Sequence, residues 1–512
     1  MILVAFSRYA PNLDDSWIWL RIIEGKGNEI YTGFRPQIGR FWTLGLVDLV
    51  LLMKISTSPY LFFVVNAVLF VVFCVLYLKI LELSNGKSAL NSLITALLTL
   101  SVGFVIVFFG ICYAEKIQVI WLSIFMLCSF CVIRDMGGGK STKSTQSHQI
   151  ISIISLNIAL YYKEPTFIAA FAFGAVLLIF AIQNRHKDLA KYAICIIFSA
   201  CFYVFLYKLF IVDEVDKFYF VLTAKDIFAL LQGFALNESI LTFSISGFLL
   251  YRIYCVLIKK ERIEPFFDGL LVASLGYFSA FVVLKMHTLY YCLPCFVLGI
   301  PSVLYFSRKY WRNIFIKICL ILGLFGFATQ NLPSGIHKMI DFKAQGVQFH
   351  QTLDFVAQYL RKNNGANLYF EGIGRGRDIY DFEMEMRPFW FAEYLEKFYS
   401  VYDFDLRTSA PNGTRFQINQ KGKYTLSNSD TISTPKSGDL IIVSNKSAFG
   451  DSLSVAQNRG ELIFTSGFPS VPQIALMPFI KYLNAKYFKS DIFGKHNNFF
   501  ALPRRTYVFR AN

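Results

Sequence analysis

The sequence predicts an α-helical polytopic membrane domain followed by a water-facing α/β domain, and three observations predict it. Of 512 residues, 55% are hydrophobic and 16% charged, whereas a soluble domain carries about 25% charged residues. Mean hydropathy is +0.47, so the apolar excess must face lipid. Apolar runs long enough to cross a roughly 30 Å hydrocarbon core, at about 20 residues per helix, recur over residues 59–330 and then stop.

Residues 1–58 form the first segment. The apolar stretch 1–6 is too short to span or to act as a signal peptide, and a further helix is expected to precede it. Residues 41–55 are apolar but short and contain Asp48. They read as a helix lying in the interface, with a buried half-span as the alternative.

Ten spans follow, at 59–81, 89–111, 117–134, 149–162, 165–183, 191–212, 239–258, 266–285, 289–306 and 313–330. A preceding N-terminal helix would make eleven. Lys and Arg are retained on the cytoplasmic side. That places Lys79 and Lys87, Arg134 to Lys143, Arg185 to Lys191, Lys259 to Arg262 and Arg308 to Arg312 in the cytoplasm. The alternate connections, at 112–116, 161–165, 212–237 and 285–290, are sparsely basic. With residues 7–58 and the tail they face a periplasm or lumen.

The tail, 331–512, mixes an amphipathic helical pattern at 347–362 with strand-like runs at 367–371 and 439–444. It reads as an outer-face α/β domain.

The formal net charge is +16, but the basic residues lie in short clusters between apolar runs instead of one stripe. Topology accounts for them, and no nucleic-acid partner is expected. All ten Cys lie between Cys74 and Cys319, which does not indicate a disulfide framework. The C-x-x-C at Cys292 and Cys295 reads as packing inside an apolar segment, with a redox pair or metal half-site as the alternative. The run Gly137-Gly-Gly-Lys140-Ser141 resembles the end of a phosphate-binding loop, but Arg134 stands where its first glycine belongs and no strand precedes it.

Outer-side charges cluster at membrane-proximal turns. Asp14 and Asp15 lie beside Trp17 and Trp19; Glu115 and Lys116 follow in the second outer turn, Lys163 and Glu164 in the third, and His287, Tyr290 and Tyr291 in a later one. Ionisable groups near lipid are costly unless paired or used. Taken singly they serve as helix caps, ion pairs or interfacial anchors. Taken together they suit one chemistry: a carboxylate base, cations that hold a phosphate, and rings that stack on sugar.

The acidic pair Asp14-Asp15, the Arg35-Pro36 to Trp42 stretch, Tyr113-Ala-Glu115, Lys163-Glu-Pro165 and the aromatic turn from His287 to Pro294 together resemble the GT-C superfamily of membrane glycosyltransferases. The resemblance covers roughly residues 8–330. It implies inverting transfer from a polyprenyl-phosphate sugar to a glycan or lipid acceptor at the outer face, in the manner of O-mannosyl-, aminoarabinose- or O-antigen glucosyltransferases. Asp15, or Asp14 beside it, would take the acceptor proton, and Glu115 would orient a substrate or the base. Arg35, Arg40, Lys116 and Lys163 would hold the lipid phosphate. Trp17, Trp19, Glu164, His287, Tyr290 and Tyr291 would line the substrate groove.

No cofactor is certain from the sequence; a divalent cation such as Mg or Mn bridging the acidic pair to the donor is the option it leaves open. Glu164 stands where the family carries a small residue. The competing classes are a polysaccharide polymerase or ligase, a transporter and a membrane scaffold. Sequons at Asn237, Asn412 and Asn445 leave an endoplasmic reticulum membrane open, while the Cys-free tail favours a bacterial inner membrane with the tail in the periplasm.

Overall fold

The computed structural model describes residues 2–9, 13–30, 33–35, 39–137, 143–211, 224–284, 286, 289–371, 391–408, 414–418, 424–428, 434–444, 452–488, 499–500, 502 and 505–512. The chain is mostly helical, with a mixed sheet in its C-terminal region.

The N-terminal region carries α1 (Leu13–Ile23), α2 (Gly27–Ile30), a hairpin of β1 (Phe34–Arg35) and β2 (Arg40–Phe41), and α3 (Val47–Met53). The interfacial helix expected over 41–55 is therefore confined to 47–53. Its N-cap, Leu46, takes a left-handed conformation at φ 63°, and Phe41 pairs into the hairpin.

The helices that follow are α4 (Pro59–Asn85), α5 (Ala89–Thr99), α6 (Val102–Phe109), α7 (Glu115–Gly137), α8 (Lys143–Tyr162), α9 (Thr166–Gln183), α10 (Lys187–Phe210), α11 (Ala224–Asn237), α12 (Ser246–Leu257), α13 (Pro265–Val283), α14 (Leu293–Lys309) and α15 (Ile314–Gly326). Then α16 (Leu332–Lys362) leads into the tail. Ser58 caps α4 from its side-chain oxygen, and Pro59 occupies the first position, where no N–H is needed. The outer connection expected over 212–237 holds α11.

Among the described residues eight helices are long and apolar enough to span, or nine if the bent pair α5–α6 counts as one. The expected span 149–162 is the apolar part of α8, whose first turns (Lys143 to His148) are polar. Lys163, just after α8, pairs with Glu115 at the start of α7, so α7 and α8 run out and back. The Tyr9 ring lies 6.4 Å from that of Tyr394, and Glu24 bonds Lys397, so the N-terminal region and the tail share a side. An even number of crossings lies between them. With α8 crossing, an even count is met when the bent pair crosses as well.

The bend itself is 67°, and it frees backbone groups that lipid cannot satisfy. Ser101 Oγ accepts from Phe104 N, and Asn331 Oδ1 accepts from Val102 N at 3.0 Å. At the corner α16 passes at close range: a Cβ on Gly335 would lie 1.8 Å from the Leu100 carbonyl oxygen. The apolar run 313–330 does not end in a loop. It continues through a π turn (Phe327–Asn331) into α16, as one helical path over Ile314–Lys362.

The tail sheet has the order β6-β5-β4-β3-β7-β9-β8, with β3 (Leu368–Phe370) parallel to β4 (Phe404–Thr408) and β7 (Leu440–Ser444). The other neighbours are antiparallel: β5 (Thr414–Ile418), β6 (Tyr424–Asn428), β8 (Gly460–Thr465) and β9 (Thr506–Ala511). Alternation along the strands divides two faces. Leu368, Leu440 and Ile442 join Leu353 and Val356 of α16 in the main core, while Tyr369, Ile441 and Val443 meet Ala456 of the helix Ser452–Arg459. Both faces of β7 are buried, as its unbroken apolar run requires.

Candidate active site

Four segments meet at one end of the bundle. α1 supplies Asp15, the turn after α6 supplies Ile111 to Ala114, α7 opens on Glu115 and Lys116, and the α8–α9 turn supplies Lys163 and Glu164. These lie close in space because α7 and α8 pack as a hairpin, which brings the turn that follows α8 beside the start of α7.

Asp15 is 2% exposed. Its carboxylate accepts from the backbone N–H groups of Ile111 at 3.4 Å and Cys112 at 3.2 Å. Burial pushes its pKa above the ordinary carboxylate range, opposed by the bonds from Cys112 and Ile111 and by the Lys116 charge. Lys116 Nζ donates to Asn66 Oδ1 at 2.9 Å and to the Ile111 carbonyl at 2.8 Å. Asn66 in turn donates to the carbonyls of Phe108 and Gly110. The turn from Phe108 to Cys112 is thus held from three sides.

Glu115 and Lys163 form a buried ion pair, Oε1 to Nζ 2.8 Å. The Lys163 ammonium lies 4.6 Å from the Tyr291 ring centroid and 4.9 Å from that of Trp42. Tyr291 stacks on Phe281, and Tyr290 meets Tyr113 edge-on. One turn deeper, Gln118 donates to Thr166 and Tyr277.

The hairpin that bears Arg40 is tied down by three bonds. Tyr203 OH donates to the Phe41 carbonyl, Tyr207 OH to the Gly39 carbonyl, and Phe41 N donates to Glu164 Oε1 at 3.4 Å. Glu164 therefore locks the hairpin. Arg40 is half-buried on it.

The structure brings together Asp15, Glu115, Lys116, Lys163, Tyr290 and Tyr291, with Glu164 bonded to the adjoining hairpin that carries Arg40. Trp19 is corrected: it is fully buried against Tyr9 and Phe62, so it fills the core and lines no groove. Lys116 is committed to Asn66 and Ile111, which makes it a support of the turn. The side chains of Asp14, Trp17 and Arg35, and all of His287, lie outside the described residues, as do Gly138 to Ser141, Asn412 and Asn445. Cys292 and Cys295 are separate buried thiols.

Three residues at this site escaped the sequence reading. Trp42 covers Lys163, Asn66 braces the turn, and Asp48 bears on Lys116 electrostatically, as do Asp15 and Glu115. Burial raises the Asp48 pKa, offset in part by Lys116. Trp42 Nε1 and Asp48 Oδ1 are buried without a hydrogen-bond partner among the described residues, an arrangement that native structures reserve for ligand, water or chemistry. A charged residue inside a short apolar helix was the available signal for Asp48.

No protein-family model and no curated protein matches the chain. Solved structures do. The apo oligosaccharyltransferase of Archaeoglobus fulgidus is similar over 98% of this chain and 85% of its own, at 11% identity and a TM-score of 0.41. The same organism's oligosaccharyltransferase AglB, in complex with an inhibitory peptide and a dolichol-phosphate, matches over the same shares at 12% identity and a TM-score of 0.42. Its complex with Zn and sulfate gives 12% and 0.40.

Proposed function

We propose that the protein is an inverting glycosyltransferase that moves a sugar from a polyprenyl-phosphate donor to a cell-surface glycan or lipid acceptor, such as O-antigen, at the outer face of a bacterial inner membrane. The observation that carries this reading is the convergence of buried carboxylates and lysines from separate outer turns beside the orphaned Trp42 Nε1 and Asp48 Oδ1. A transporter would spread such groups through the membrane depth; here they gather at one face.

In this reading Asp15, or Asp14 beside it, takes the proton of the acceptor hydroxyl as its oxygen attacks the anomeric carbon. The bond from that carbon to the phosphate oxygen breaks, and the lipid phosphate leaves with the electron pair. A carboxylate with a raised pKa suits this proton transfer near neutral pH. Lys163 and Arg40 neutralise the leaving phosphate, while Glu115 fixes Lys163. Lys116 acts as a positioning residue through the turn that contacts Asp15. Tyr290, Tyr291 and Trp42 offer ring faces to the sugar.

Among the described residues no three His, Cys, Asp or Glu side chains converge as metal ligands. No step is routed through a divalent cation.

The test is sugar transfer from a panel of polyprenyl-phosphate sugars, in membranes carrying the wild-type chain, Asp14→Asn and Asp15→Asn. Loss of transfer in one variant, with normal insertion, supports the reading and identifies the base. Unchanged transfer in both variants removes the acidic pair from the mechanism, and no transfer from wild type returns the choice to a polymerase or transporter.

A further inference from the structure

The tail domain carries a patch that its own core does not use. The helix Leu476–Leu483 is amphipathic in sequence; Phe479 on it is exposed and its other apolar residues except Pro478 are half-buried. Ile474 is 51% exposed, Phe479 39% and Tyr487 65%, and Phe500 and Leu502 are exposed nearby. Phe479 and Tyr482 gather around Phe499. An apolar surface of this kind on a water-facing domain marks an interaction site.

Its position identifies the occupant. Met477 N donates to Gln330 Oε1 at 2.8 Å, and the Val471 carbonyl lies 2.7 Å from His337 Nδ1. Gln330 closes the apolar helical run whose exposed side chains Ile321, Leu324 and Phe325 form the lipid-facing belt of α15. The patch therefore begins where that belt ends, at the outer surface of the bilayer. Lys481 lies on the helix, and Lys486 stands over the rings of Tyr482 and Tyr487 at 5.7 and 5.3 Å. Basic and aromatic residues beside an apolar face are what the headgroup region accepts.

We infer that residues 471–487 are seated in the outer leaflet, with Ile474 and Phe479 in the acyl boundary and Lys481 and Lys486 among the lipid phosphates. The seat fixes the tail relative to the bundle. It also holds the roof of a cavity of about 260 Å³, to which Gln473 contributes alongside Asn331, Ser334 and His337. The inference stands apart from the glycosyltransferase reading, since it concerns lipid contact alone.

A photo-crosslinking benzoylphenylalanine placed in the full chain tests it, in nanodiscs of clickable phosphatidylethanolamine and phosphatidylglycerol. The probe goes separately at Phe479, at Ile474, at Ile321 as a lipid-facing reference and at Leu462 on exposed β8 as a water-facing one. Lipid adducts at Phe479 and Ile474 are expected to approach the Ile321 level and exceed Leu462 several-fold. Adducts no greater than at Leu462 while Ile321 labels, or adducts to protein in place of lipid, would overturn the inference. Two probe positions keep the result independent of local misfolding at either one.

Discussion

Lys163 Nζ stands 2.8 Å from Glu115 Oε1, joining the turn before α9 to the first residue of α7 at one end of two membrane helices. The pair closes the α7–α8 hairpin and presents a cation between the rings of Trp42 and Tyr291. Structure and chemistry thus share one contact.

Lys163→Ala leaves the Glu115 carboxylate buried and unpaired. Removing one partner of a buried pair costs about 3–5 kcal/mol, so thermal unfolding in detergent should begin at a clearly lower temperature. Pairing it with Glu115→Gln should recover much of the stability, as a double-mutant cycle would record. Transfer activity should stay low in both, by about 100-fold or more if the lysine neutralises the leaving phosphate. Full activity in the stabilised double variant would refute the role.

The Asp15 pKa is raised by burial, and a general base works only when ionised. The kcat/KM of transfer should therefore fall as pH drops through a value above the ordinary carboxylate range. Asp15→Asn should abolish both activity and this limb. An acid limb that survives in the Asn variant's residual activity would assign it to another group.

Asp48 makes a prediction about stability. Its folded-state pKa is raised by burial, so between the ordinary carboxylate value and that raised value the folded state holds a proton that the unfolded state has lost. Stability then declines as pH rises through that window. Asp48→Asn has no such proton, and its unfolding temperature relative to wild type should climb from mildly acidic to neutral pH. A difference that is flat with pH would show that Asp48 is already ionised in the fold.

Gly335→Ala tests the crossing of α16 over the bent pair. The added methyl would meet the Leu100 carbonyl at 1.8 Å, and neither backbone can yield without disturbing the bonds that Ser101 and Asn331 make at the corner. Overpacking of this sort costs about 1–3 kcal/mol or more. Lower yield and a lower unfolding temperature are expected, against no change for the exposed Gly137→Ala.

The sequence by itself determined which segments are apolar enough to meet lipid. Hydrocarbon rejects charge and unpaired backbone so strongly that hydropathy and the placement of Lys and Arg suffice. All ten expected spans overlap helices, even α8, whose polar first turns dilute its hydropathy. Asp15, Glu115 and Lys163 were legible as unusual for the same reason.

Only the tertiary structure decided what those charges do. A carboxylate next to a membrane reads alike whether it caps a backbone turn, as Asp15 does with Ile111 and Cys112, or meets a distant cation, as Glu115 does with Lys163. Trp19 and Trp42 read alike too, yet one fills the core and the other covers an ammonium. The hairpin at 34–41, the bend rescued by Asn331 and the commitment of Lys116 to Asn66 all depend on partners far along the chain. Local pattern encodes the solvent of each segment, whereas short-range bonds of definite direction arise only once packing has chosen the neighbours.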